Sequence, residues 1–369
     1  MTLSHSDMVK DAEKKSRVLY FSRLKALACI AVVVLHGCYM AGGAFARDNI
    51  QRMTVLFTVR NLMYWAVPAF MMVSGALMLD EKRKTDIKKV FGKYLPRMLI
   101  ALFAFGIIFA VYDHAVYQKD FVPSHLWEGV RHAVFDTFTE NGMSWSHTWY
   151  LYLMISFYLM LPVYRIITRS ADKKELMYLL GVLFAANSAI TAAKTALGCN
   201  TLVFSIFTGT IFPLFFFLGY AIHSGKVKIG NVLSIVFILI GAAGMIIMTY
   251  YRLHTDDPVM ADRIKNIADQ YFAPHTVLAS AGVFALFKST DKGKEIPVLD
   301  KLAAEIDKCS FGIYLIHMVV YKHIFAVMKF DPFAHGGAGM LILVMLAAFI
   351  ISYAITRVLK FVPFIKNII

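Results

Sequence analysis

The first long apolar segment of the chain reads SRLKALACIAVVVLHG at residues 22–37, and it predicts a helix that enters a lipid bilayer. Residues 1–18 before it are mostly polar, and no small-residue cleavage pattern follows. We therefore interpret the segment as an uncleaved first membrane helix rather than a signal peptide. The sequence predicts a cytoplasmic N-terminal segment at residues 1–18 and one transmembrane domain at residues 19–369.

The composition extends this interpretation to all 369 residues. Apolar residues make up 59% of the chain and charged residues 17%, with a mean hydropathy of +0.61. Soluble domains are typically about 45–50% apolar and about 25% charged, so an ordinary soluble enzyme is excluded. The 4 cysteines are dispersed and form no CxxC pair, which excludes a disulfide-stapled secreted domain.

Apolar runs predict ten membrane spans, and therefore an all-α membrane protein built as one helical bundle. The spans lie near residues 22–42, 56–79, 92–112, 148–168, 175–192, 202–222, 230–251, 272–288, 309–328 and 339–361. With both termini cytoplasmic, Lys and Arg are concentrated about three to one in the cytoplasmic segments. This pattern also accounts for the net charge of +14, so we expect no nucleic-acid partner.

Two ionisable residues of the first span, Lys25 and His36, are separated by almost three helical turns. They therefore share one helix face and lie about 16 Å apart along its axis. A histidine at this depth is costly unless it meets a partner or a water-filled cavity, which favours a functional role. The alternatives are an interhelical hydrogen bond for His36 and a snorkelling interfacial lysine for Lys25.

The long stretch between the third and fourth spans, residues 113–147, is rich in aromatic residues and histidines. These are His114, His125, Trp127, His132, Trp145 and His147. Trp145, His147 and Trp149 are predicted at the outer mouth of the bundle, where they suit sugar binding or form an interfacial aromatic belt. The histidine spacings match no metal motif, so we expect no metal site.

Four segments, in this order, resemble the signature of the membrane-bound acyltransferase 3 family. Lys25 and His36 match its Arg/Lys-x10-His pattern in the first span. VPAFMMVSGAL at residues 67–77 is similar to its second-span segment, and HTWYL at 147–151 with YLMLP at 158–162 is similar to its entry into the fourth span. SFGIYLIH at 310–317 is the last match, so the resemblance runs from about Tyr20 to the final span.

The resemblance implies an O-acyltransferase, and most closely the short members that O-acetylate surface polysaccharides. It implies acyl-CoA, expected to be acetyl-CoA, as a cytoplasmic co-substrate, with no bound cofactor. The implied acceptor is a hydroxyl of a cell-envelope glycan or its lipid-linked precursor, outside a bacterial cytoplasmic membrane. Two positions depart from the family: Ser22 stands where Asp is usual, and Lys93 with Arg97 replaces a frequent Arg-x-x-Arg pair.

The chemistry of acyl transfer assigns catalytic roles to His36 and Lys25. A neutral imidazole suits removal of the acceptor hydroxyl proton, so His36 is expected to act as general base. A covalent acyl-His36 intermediate is the alternative. Direct transfer is favoured because no carboxylate on the same helix can orient the imidazole for nucleophilic work. Lys25 is expected to bind the CoA phosphates or the thioester carbonyl.

Further residues are predicted to surround the substrates. The donor is expected to contact Lys93, Arg97, Ser74 and His317, and the acceptor Trp149, His147 and Trp145. Ordinary alternatives are lipid contact for the basic residues, close packing for Ser74 and a structural hydrogen bond for His317.

Two other classes of protein also fit a buried histidine and lysine. A transporter or polysaccharide exporter would use them as a proton relay, and a membrane sensor or scaffold would use them only for structure. The acyltransferase alone predicts that acyl esters disappear when His36 is replaced.

Overall fold

A computed structural model describes residues 19–80, 87–135, 145–198, 210–291 and 296–369. Within these ranges the chain forms helices joined by short turns, with no β-strand, which confirms the predicted all-α class. The predicted N-terminal segment at residues 1–18 lies outside the described residues.

The helices are numbered here in chain order. Up to residue 198 they are α1 (Leu19–Phe45), α2 (Ile50–Leu62), α3 (Ala66–Met78), α4 (Ile87–Lys89), α5 (Leu95–Tyr112), α6 (Ser124–Phe135), α7 (Trp149–Ser170), α8 (Lys173–Phe184) and α9 (Ile190–Leu197). From residue 210 they are α10 (Phe212–Ser224), α11 (Asn231–His254), α12 (Pro258–Ala268), α13 (Pro274–Thr290), α14 (Pro297–Lys322), α15 (Pro332–His335), α16 (Gly337–Leu359) and α17 (Pro363–Lys366). Wider π-helical turns occupy Val90–Tyr94, Asp113–Gln118, Ala185–Ala189 and His323–Val327, and a 3-10 turn occupies Ser146–Thr148.

Eight helical stretches of the described chain are long and apolar enough to cross a membrane. They are Leu19–Phe45, Ile50–Met78, Ile87–Gln118, Ser146–Ser170, Lys173–Leu197, Asn231–His254, Pro297–Val327 and Gly337–Leu359. The other two predicted spans correspond to α10, of 13 residues, and α13, of 17 residues. Ten spans and cytoplasmic termini therefore stay predictions.

The outermost of these stretches have a surface suited to lipid. In α11 only 22% of the apolar window is buried inside the protein, and in α16 only 28%. Val232 and Leu239 of α11 and Ile342 of α16 are mostly exposed. Exposed apolar surface of this extent marks a membrane-facing side.

The helix α1 lies at the centre of the bundle, against α2, α3, α14 and α16. Its small residues allow this close packing: Ala28 and Ala41 are fully buried. A Cβ atom on Gly37 would come within 2.7 Å of the Tyr321 hydroxyl, which donates a hydrogen bond to the Val33 carbonyl at 2.9 Å. We call the end of the bundle near Leu19 proximal and the end near Phe45 distal.

The helices α3 and α10 touch backbone to backbone. A Cβ on Gly75 would lie 1.9 Å from the Phe216 carbonyl oxygen, and a Cβ on Gly219 would lie 2.1 Å from the Met72 carbonyl oxygen. Glycine is required at both positions because any side chain would separate the helices. The close packing given as the alternative role of Ser74 is made by its neighbour Gly75, against α10.

A buried ionic cluster joins α2 to α11 at the distal end. The Asp269 carboxylate forms ion pairs with both Arg60 and Arg252, and it accepts a hydrogen bond from the Asn61 amide at 3.1 Å. Arg60 is only 4% exposed. The carboxylate therefore compensates two guanidinium groups that have little access to water.

Candidate active site

A cavity of about 380 Å³ extends along one face of α1. The α1 residues that line it are Lys25, Cys29, Val32, Val33 and His36, which form a single stripe because they recur at helical spacing. Lys25 and His36 are therefore the first and last residues of α1 that line this cavity. Its volume falls within the roughly 300–1,000 Å³ usual for small-molecule sites.

The walls of the cavity are largely aromatic. The lining includes Phe70, Trp149, Tyr150, Tyr158, Tyr271, Phe311 and Tyr314. Trp149 and Tyr271 lie with ring centroids 5.5 Å apart, so they form a continuous part of this wall. Rings with polar tips suit a ligand that is partly apolar and partly hydroxylated.

The proximal end of the cavity is charged. The Lys25 ammonium lies 2.6 Å from a carboxylate oxygen of Asp307, and the Ser22 hydroxyl donates to the other oxygen at 3.0 Å. Asp307 lies on α14, so this helix supplies a carboxylate close to the position where the related family usually has Asp in place of Ser22. The sequence analysis missed Asp307, although it precedes the SFGIYLIH segment by only three residues.

Of the predicted basic pair, only Arg97 lines the cavity. Its guanidinium carbon lies 5.4 Å from the centroid of the Phe311 ring, and its Nε donates to the Ile368 carbonyl at 2.7 Å. Lys93 is exposed and does not line the cavity. It belongs to the turn Val90–Tyr94, which precedes α5.

The donor candidates Ser74 and His317 occupy different positions. Ser74 lines the cavity on the α3 side. His317 is fully buried and does not line the cavity. It lies behind His36, with its Nε2 atom 3.1 Å from His36 Nδ1.

Two backbone carbonyls define the protonation of this histidine pair. His317 Nδ1 lies 3.0 Å from the Ile313 carbonyl oxygen, which can only accept, so this nitrogen carries a hydrogen. Neutral His317 therefore presents the lone pair of Nε2 to His36. His36 Nδ1 lies 3.0 Å from the Val32 carbonyl as well, so it is the donor in both contacts. The lone pair of neutral His36 is thereby left on Nε2.

His147 is a third histidine beside this pair. It is 2% exposed and lines the cavity, with its ring centroid 5.7 Å from that of His317. Its Nε2 lies 3.4 Å from the Leu315 carbonyl, and its backbone oxygen accepts a bond from the Tyr314 hydroxyl. Nδ1 of His147 is buried and has no hydrogen-bond partner among the described residues. A buried polar atom of this kind suits a ligand hydroxyl.

The two tryptophans predicted at the acceptor take different places. Trp149 lines the cavity, whereas Trp145 is 5% exposed and supports His147 from behind, with ring centroids 6.0 Å apart. The Trp145 indole donates to Asp113 at 2.9 Å, and Asp113 also forms an ion pair with Lys322. Trp145 is therefore held by the turn Asp113–Gln118 and by Lys322 of α14, whose ammonium lies 4.6 Å from the centroid of the indole ring, instead of standing free at a mouth.

Comparison with known proteins gives one match. A family model described as an acyltransferase domain matches residues 18–357, which is nearly the whole chain. No curated protein and no solved structure matches the chain.

Proposed function

The chain belongs to the membrane-bound acyltransferase 3 family, and on that premise we propose that it O-acylates an extracytoplasmic glycan with acyl groups from cytoplasmic acyl-CoA. Its apolar helices and its family make it a membrane acyltransferase. Acetyl is the proposed acyl group, and a polysaccharide of a bacterial envelope or its lipid-linked precursor is the proposed acceptor. The observation that carries the proposal is that both Lys25 and His36 line one cavity.

The proximal end of the cavity is the proposed donor site and faces the cytoplasm in this proposal. Lys25 and Arg97 lie there and can bind the phosphate groups of CoA, for which charge-assisted hydrogen bonds are the strongest contacts. Asp307 holds Lys25 in position until a phosphate competes for it. The thioester arm then extends along the α1 stripe towards His36.

His36 is the proposed general base. Its Nε2 takes the proton of the acceptor hydroxyl while the hydroxyl oxygen attacks the thioester carbonyl carbon. The tetrahedral intermediate collapses, the carbon–sulfur bond breaks, and the proton on His36 passes to the departing thiolate. Ser74, which lines the cavity, is the proposed hydrogen-bond donor to the thioester oxygen.

His317 is a proposed positioning residue instead of a donor contact. When His36 gains a proton, its Nδ1 still donates to His317 and Val32, and both acceptors stabilise the cation that forms. His147 offers its buried Nδ1 as an acceptor for a sugar hydroxyl, with Trp149 as a stacking surface.

The test uses cells from which the gene for this protein has been deleted. These cells are complemented with wild type, His36→Ala or His254→Ala, and the acetyl esters on their envelope glycans are counted. His254 is an exposed histidine of α11 that bonds the Tyr250 carbonyl, so it serves as the matched control. We expect wild type and His254→Ala to restore the esters and His36→Ala to restore none at equal protein level. Esters that do not depend on His36 would contradict the proposal.

A further inference from the structure

A cluster of two histidines and one carboxylate lies where the chain turns back after α5. His114 belongs to the π-helical turn Asp113–Gln118, and His125 lies in the first turn of α6. Between them the backbone folds sharply: Lys119 has φ of 62°, and the Asp120 amide donates to the His114 carbonyl at 2.9 Å. The turn brings Asp120 back against His114.

The three side chains converge closely. His114 Nδ1 lies 2.9 Å from an Asp120 carboxylate oxygen, and the His114 and His125 rings stack with centroids 3.6 Å apart at 26°. One ligand atom from each of the three residues lies within 4.8 Å of the other two. None of the three lines the cavity, so the cluster is separate from the proposed active site.

We propose that His114, Asp120 and His125 bind a divalent transition-metal ion of the zinc type. Two imidazole nitrogens and one carboxylate oxygen are ligands that zinc accepts, whereas calcium and magnesium favour oxygen alone. In a tetrahedral site with bonds of about 2.0–2.2 Å, ligand atoms lie about 3.3 Å apart. The ligand atoms, which lie within 4.8 Å of one another, would draw together around the ion, and the Asp120 side chain is 57% exposed and so has room to move.

The hydrogen bonds of the cluster show which atoms a metal ion would compete for. His114 donates its Nδ1 hydrogen to the Asp120 carboxylate at 2.9 Å, and a metal ion bound by both groups would replace this hydrogen. His125 Nδ1 accepts a long 3.3 Å contact from the Val122 amide, so this nitrogen carries a lone pair that a metal can take instead.

A bound ion would brace the turn between α5 and α6. His114 directly follows Asp113, whose carboxylate holds both Lys322 and the Trp145 indole. Fixing His114 to His125 therefore stabilises the backbone that carries this contact. We expect the ion to raise the melting temperature of the folded protein.

The test is zinc titration by calorimetry on the full chain in detergent, free of any affinity tag and stripped with a chelator. Wild type and the control His254→Ala are expected to bind one equivalent of Zn²⁺, and His125→Ala to lose it. Zinc should raise the melting temperature of wild type and leave that of His125→Ala unchanged. Equal melting temperatures of wild type and His125→Ala in the presence of chelator would show that the variant is folded.

Two results would overturn the assignment. One is absence of Zn²⁺ binding by the wild type, and the other is wild-type affinity in His125→Ala. Because no step of acyl transfer enters the measurement, failure of the metal site leaves the proposed function unaffected.

Discussion

His317 Nε2 lies 3.1 Å from His36 Nδ1, and this contact determines which nitrogen of His36 is free to act as a base. The backbone carbonyl of Ile313 holds the hydrogen of His317 on the opposite side of the ring. The orienting group of the proposed base is thus a second neutral imidazole where many hydrolases use a carboxylate.

Replacing His317 with Ala should lower kcat with little change in the KM for acyl-CoA. The reason is that His36 loses an acceptor for its Nδ1 hydrogen and samples other ring orientations. His317→Gln keeps a carbonyl acceptor and should recover part of the rate. A steady-state comparison of the two variants is the measurement, and an equal loss in both would reduce His317 to a packing residue.

Replacing His36 with Ala should remove the contribution of general-base catalysis, which is roughly 10²–10⁴-fold in rate. Incubation of wild type with radiolabelled acetyl-CoA and no acceptor should leave no covalent label on the protein if transfer is direct, as proposed. Label that appears in wild type and is absent from His36→Ala would instead establish an acyl-His36 intermediate.

Lys25→Ala should weaken acyl-CoA binding by roughly ten- to a hundredfold, because a hydrogen bond to a charged group contributes about 1.5–3 kcal/mol. Binding to wild type should also weaken as salt rises. Lys301→Ala is the matched control, since Lys301 is an exposed lysine of α14 that does not line the cavity. Equal affinity of wild type and Lys25→Ala in a filter-binding assay would remove Lys25 from the donor site.

Gly219→Ala should prevent normal assembly of α3 against α10, because the added methyl group would lie 2.1 Å from the Met72 carbonyl oxygen. Gly181→Ala is the control, since nothing lies within 4 Å of the corresponding Cβ in α8. In an exposed helix this change is neutral or stabilises by about 0.5–1 kcal/mol. Thermal unfolding in detergent should separate the two variants, and equal melting temperatures would contradict the packing argument.

Asp269→Asn should destabilise the fold by roughly 3–5 kcal/mol, because two arginines at the distal end lose their compensating charge. The exposed carboxylate of Asp262 on α12 provides the control, and Asp262→Asn should change the free energy of unfolding by less than about 0.5 kcal/mol. A loss of similar size in both variants would show that the ionic cluster contributes little.

Two features could be predicted from the sequence: the helix face shared by Lys25 and His36, and the family resemblance. The positions of Lys25 and His36 on one face of α1 follow from 3.6 residues per turn, and both residues line the cavity. The family resemblance is confirmed by the match over residues 18–357. The first span and each of the four matching segments are continuous in the sequence, so neither prediction required knowledge of how the helices pack.

The remaining features depend on contacts between distant segments. His317 was expected at the site, but its contact with His36 joins residues 281 positions apart and arises only when α1 packs against α14. Asp307 was missed for the same reason. Lys93 was predicted with Arg97 because both lie at the entry to the third span, but which of the two side chains lines the cavity depends on how that helix packs.

The α1 residues that line the cavity also fix the distance between the proposed donor site at Lys25 and the proposed base at His36. Inserting a single residue between Lys25 and His36 would rotate the imidazole by about 100° around the axis and move it out of the cavity. Seven added residues would restore the face and lengthen the span by about 10 Å. The distance between Lys25 and His36 along one face of α1 can therefore change only in steps of about whole helical turns.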